Sequence, residues 1–69
     1  MNATARREAI LQKLARSSEP VSASALAAQL GVSRQIVVGD VALLRAGGAA
    51  IDATPRGYLL RGAAAGYTG

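Results

Sequence analysis

A mainly α fold with a small β-hairpin is predicted by three observations on this sequence. Aliphatic residues recur at helical spacing in three short segments. Ser residues stand where the second and third helices would begin, two residues after a glycine in the latter case. Near the end a Thr-Pro-Arg-Gly turn separates two short apolar stretches.

The first helix is predicted over Thr4 to Arg16, with Thr4 as N-cap and Ile10, Leu11 and Leu14 as its buried stripe. Lys13 and Arg16 suit the negative end of the macrodipole, while Arg6 and Arg7 oppose the positive end and call for a compensating partner. Glu19 and Pro20 end this helix, and Val21 is either a short strand or a hydrophobic staple.

Ser22 caps a second helix running to Leu30, whose buried stripe is Leu26, Ala27 and Leu30. Gly31 fits a left-handed C-cap, Val32 an apolar plug, and Ser33 the N-cap of a third helix from Arg34 to about Ala46. So short a link is a helix-turn-helix signal. On the third helix Ile36, Val37, Val41, Leu43 and Leu44 fill one broad arc, and the opposite face carries Gln35, Val38, Ala42 and Arg45. Gly47 and Gly48 stop it. Strands are predicted at Ala49–Ala53 and Tyr58–Leu60, joined by a bulged hairpin through Thr54-Pro55-Arg56-Gly57. Three helices and a hairpin with Arg at its tip describe a winged helix-turn-helix over residues 1–61. Residues 62–69, small and uncharged, read as a linker stub.

Composition narrows the function. Of the 69 residues 51% are hydrophobic, yet Ala supplies 16 of them, matched by only 16 Val, Ile and Leu, with no Phe or Trp. So short a domain buries only about 60% of its unfolded surface, which argues against a deep cleft. With no Cys and no His, the chain lacks thiolate chemistry, disulfides, the commonest metal ligand and the commonest general base. Glu8, Glu19, Asp40 and Asp52 are scattered without metal-loop spacing. We therefore expect no enzyme, no catalytic residue, no metal and no cofactor in this chain. With no membrane-length apolar run and no export signal, a cytoplasmic location is the expectation.

The net charge of +4 comes from seven Arg and one Lys against four acids. Arg suits forked hydrogen bonds with phosphates and guanine edges, although a GC-rich genome also supplies both Ala and Arg, so placement must decide. The placement fits double-stranded DNA. A helix entering the major groove leads with its first residues, here Ser33, Arg34 and Gln35: a phosphate-capable hydroxyl, a guanine-reading fork and an adenine-reading amide. Val38 and Ala42 on the same face suit thymine methyls. Arg56 at the wing tip and Ser24 at the start of the second helix suit backbone contacts, beside the plainer readings of a solvated turn and a simple cap. Gly39 is read either as close approach to DNA or as drift at an exposed site.

Asp40 lies inside the apolar arc of the third helix, and Arg7 precedes Ile10, Leu11 and Leu14 by three, four and seven residues. An Arg7–Asp40 ion pair between the first and third helices is predicted, with Arg6 as the substitute partner and a structural role only.

Arg6-Arg7-Glu8, then PVSASALAAQLGVSRQIVVGDVALLRAGG, then IDATPRGYLL together resemble the N-terminal winged-helix domain of the NiaR family, bacterial nicotinate-responsive repressors of NAD biosynthesis and salvage. Val32-Ser33-Arg34-Gln35, Asp40-Val41 with Leu43-Leu44-Arg45, and Ala53-Thr54 with Gly57-Tyr58 are the most specific pieces. The resemblance covers about residues 6–60 and implies an operator-binding repressor, a homodimer at full length. It also implies a second, C-terminal domain that binds nicotinic acid and a metal, a domain this chain does not include. Gly39 departs from the larger polar residue the family pattern suggests. Two alternatives stay open: the repressor domain of a biotin protein ligase, and a winged helix used as a protein–protein interaction module.

Overall fold

The structure, a computed structural model, describes residues 2–61. Met1 and residues 62–69, where the linker stub is predicted, lie outside the described residues. The order is α1 (Ala3–Arg16), α2 (Ala23–Leu30), α3 (Arg34–Ala46), β1 (Ile51–Thr54) and β2 (Gly57–Leu60). Three helices plus a two-stranded antiparallel hairpin make the winged helix-turn-helix that the sequence predicts.

Two of the three helix starts are capped as expected. The Ser22 hydroxyl accepts from the Ala25 N–H at 3.0 Å, and the Ser33 hydroxyl from the Ile36 N–H at 3.2 Å. Helix α1 differs. Its N-cap is Asn2, whose Oδ1 accepts from the Ala5 N–H at 2.8 Å, so Thr4 lies in the first turn. Asn is the stronger cap, and with it at position 2 the helix gains Ala3 and Thr4 as its first residues.

Gly31 ends α2 with φ of 71°, and the Val32 N–H bonds back to the Ala27 carbonyl at 3.0 Å. That left-handed residue is what lets α3 begin at Arg34 after a link of only three residues. The core is a single seam of Ile10, Leu14, Leu26, Val37 and Val41, closed by Ala23, Ala27 and Ile51. Leu11, Leu30, Val32, Leu44, Tyr58 and Leu60 pack around it half-buried.

The broad apolar arc of α3 is only partly used. Val37 and Val41 are buried and Leu44 packs against the core, but Ile36 is 41% and Leu43 59% exposed. Ile36 and Leu43 share one side of the helix seven residues apart, at the margin of the arc, and a core with one row of side chains from each helix does not reach them.

The hairpin is regular rather than bulged. Ile51 pairs with Leu60, Asp52 with Leu59, Ala53 with Tyr58 and Thr54 with Gly57, which leaves Pro55 and Arg56 as a two-residue loop. The first strand starts at Ile51, two residues later than expected, because the Ala49 N–H folds back to the Leu44 carbonyl at 3.0 Å. A third strand-like segment joins this sheet. Val21 and Tyr58 exchange both backbone hydrogen bonds, each 2.8 Å long, which settles Val21 as a bridge residue that ties the wing to the start of α2.

Candidate nucleic-acid interface

The outward side of α3 carries Gln35, Val38, Ala42 and Arg45, all exposed, with Arg34 and Gly39 on its flanks. No acid lies among them. Asp40, the one acid of α3, is turned inward and is 3% exposed. Helix α3 thus keeps its one negative charge off the face that an anion would meet.

Asp40 is held from α1, although by a different residue from the one predicted. Arg6 forks onto its carboxylate, Nε to one oxygen and a terminal nitrogen to the other, the latter at 3.0 Å. Arg7 stands at 3.6 Å as the outer partner, so the order of the two arginines is the reverse of the expectation. Both precede Ile10, by four and three residues, and flank its buried stripe equally; the crossing of α3 over α1 selects Arg6. The Arg6 hydrogen bonds hold the Asp40 carboxyl below the usual carboxylate range against the opposing effect of burial, and Asp40 in turn raises the Arg6 guanidinium.

A second pair, Arg61 Nε to Asp52 at 2.7 Å, lies on the wing. Among the described residues Arg6, Arg7 and Arg61 therefore meet carboxylates, whereas Arg34, Arg45 and Arg56 do not. Among the described residues the cations that remain available are those of α3 and of the wing tip, together with Lys13 and Arg16 in the last turn of α1.

The wing tip is built by Thr54, a role that sequence reasoning missed. Its hydroxyl accepts from the Arg56 and Gly57 N–H groups, at 3.2 and 3.1 Å, and donates to the Gly57 carbonyl at 2.8 Å. A Thr opening a Pro-Arg-Gly turn is the sequence signal for such a side-chain turn. Gly57 has a positive φ of 145°, and it also does more. A Cβ there would lie 2.5 Å from the Val21 carbonyl carbon. The wing and the start of α2 thus approach at main-chain distance.

Between them lies an open notch of about 290 Å³, lined by Ser22, Ser24, Arg34, Thr54 and Arg56 among others. The structure brings Ser24, Arg34 and Arg56 together at this notch. Gln35 and Val38 stand apart on the outward side of α3, and Ser33 is occupied in capping. Among the described residues no three His, Cys, Asp or Glu side chains gather. No helix among the described residues is long and apolar enough to cross a membrane.

Comparison with known proteins agrees with this geometry. The HTH domain family matches residues 6–59. The chain is 52% identical over 63 residues to a Thermotoga maritima protein named "Probable transcription repressor NiaR", covering 91% of this chain and 36% of that relative. It is 42% identical over 60 residues to the Bacillus subtilis protein named "Transcription repressor NadR", covering 87% of this chain and 33% of the relative. The chain thus spans about a third of the length of the curated relatives it matches. These similarities agree with the NiaR-type resemblance read from the residues, and with the family match they show that the chain belongs to the HTH domain family, in its winged form.

Proposed function

We propose that this chain binds double-stranded DNA as the operator-binding domain of a bacterial transcription repressor. The observation that carries this is the outward side of α3: Gln35, Val38, Ala42 and Arg45 are exposed together, free of acids, with Arg56, which meets no carboxylate among the described residues, on the adjoining wing. A helix bearing small and amide side chains can lie against base edges in the major groove, with Gln35 suited to adenine and Val38 and Ala42 to thymine methyls.

The names of both relatives support repression rather than the regulatory appendage of a ligase. On this reading the target genes concern NAD biosynthesis or niacin salvage, the full-length protein is a cytoplasmic homodimer, and the nicotinate and metal sites belong to the part outside this chain. This domain itself has no catalytic role.

Binding of a fluorescently labelled duplex by anisotropy, across about 50 to 200 mM salt, tests the reading. Affinity should fall with a log–log slope of about −0.9 for each phosphate neutralised. A second reading, protein–protein contact, is favoured by the exposed Ile36, Val38 and Leu43. Absence of any salt-dependent DNA binding would select it.

A further inference from the structure

Arg34 and Arg56 come from different elements, the first residue of α3 and the hairpin loop, yet both line the notch beside the start of α2. None of the notch's lining residues is acidic, and among the described residues neither guanidinium meets a carboxylate. Two positive charges brought to one concave site without a counter-ion repel each other, and a single anion between them removes that penalty. A neutral hydroxyl does not supply the missing counter-charge, and two of those in the lining are already engaged. Ser22 caps α2, and Thr54 is engaged three times within the turn, so both lie on the wall with their bonds made.

The position of Arg34 bears on how DNA is read. Arg34 and Gln35 are neighbours on α3, about 100° apart around its axis, so their side chains leave the helix toward different sides. Gln35 lies on the outward side with Val38 and Ala42, while Arg34 faces the notch between α2 and the wing.

Resting on the DNA reading above, we propose that the notch seats one phosphodiester of the DNA backbone, clamped between Arg34 and Arg56. Arg34 then fixes the register of α3 in the groove and carries no base preference, against the guanine-reading role that its place at the head of the helix suggests. Discrimination between bases falls to Gln35, Val38 and Ala42. The wing is part of the same grip, because Gly57 and the Val21–Tyr58 bridge fix its distance from α2.

The test starts from a duplex selected out of a random-sequence pool by the unmodified chain, followed by titration of that duplex and its single-base variants. Arg34→Ala should weaken binding to all of them by a common factor of about ten, the loss of one charge-assisted contact. The salt slope should become shallower by about 0.9. Arg34→Lys should recover most of the affinity. Because one phosphate is shared, Arg34→Ala with Arg56→Ala should lose less than the product of the two single losses. Gln35→Ala, by contrast, should flatten the preference at one base pair. Both arginines are exposed, so thermal melts of these variants should match the parent.

Loss of preference at one base pair in Arg34→Ala would overturn the clamp and restore the base-reading role. Multiplying losses in the double variant would overturn the shared phosphate. If the unmodified chain enriches no sequence and binds no duplex at low salt, the DNA reading itself falls and the clamp with it.

Discussion

Arg6 on α1 holds both carboxylate oxygens of Asp40 in the middle of α3, and Arg7 stands behind it at 3.6 Å. The pair explains why two arginines sit in the first turns of a helix whose N-terminal dipole disfavours them. Asp40→Ala should lower stability by about 1–3 kcal/mol, the loss of charge-assisted hydrogen bonds in a largely buried setting. Arg6→Ala should destabilise more than Arg7→Ala, since it leaves the buried carboxylate with the distant partner alone. Urea melts of the three single variants and of Arg6→Ala with Asp40→Ala check this, the double variant being less damaged than the sum of its parts.

The same pair sets the acid limit of the fold. Asp40 has a lower pKa folded than unfolded, so its contribution is complete above the ordinary carboxylate value of about 3.9 and is lost as pH falls through the folded value. The melting temperature should change little between about pH 7 and 5 and then drop below about pH 4. In Asp40→Asn that acid drop should be shallower, which melts across the pH series would show.

Gly57→Ala should cost about 1–3 kcal/mol from its positive φ, and more from the approach to the Val21 main chain at 2.5 Å. The wing must swing away to admit the methyl group. Amide exchange at Val21 and Tyr58, whose N–H groups close the bridge, should speed up in this variant ahead of exchange in the helices.

Gly39→Ala should act in the opposite direction. A Cβ at that exposed helical position meets nothing within 4 Å, so the variant should gain about 0.5–1 kcal/mol in a chemical melt. DNA affinity in the same variant separates the two readings of this glycine. Unchanged binding marks a surface position; a tenfold loss marks close approach to the duplex.

The helices, the Gly31 turn and the outward side of α3 could be read from the sequence because each depends on residues within a few positions of one another. The position of the wing loop was readable for the same reason, but its regular pairing and the Thr54 hydroxyl that builds its tip were not. What escaped depends on how distant segments meet. Arg6 and Arg7 are equivalent on the periodicity of α1 and differ only once α3 crosses it. Ile36 and Leu43 match the apolar period of α3, but the small core does not extend to them. The notch needs three segments, from α2, α3 and the wing, and no spacing along the chain announces that Arg34 and Arg56 share it.

The Val21–Tyr58 bridge joins the wing to α2 through amide and carbonyl groups alone. Such a joint is indifferent to what the two side chains are, provided neither residue is proline, which would remove a donor. It depends instead on the one neighbouring position, Gly57, that must stay bare for the strands to come together. The spacing between the two halves of the grip is in this way insulated from most substitutions, and the face of α3 can be rewritten for a different target sequence without re-engineering the frame that carries it.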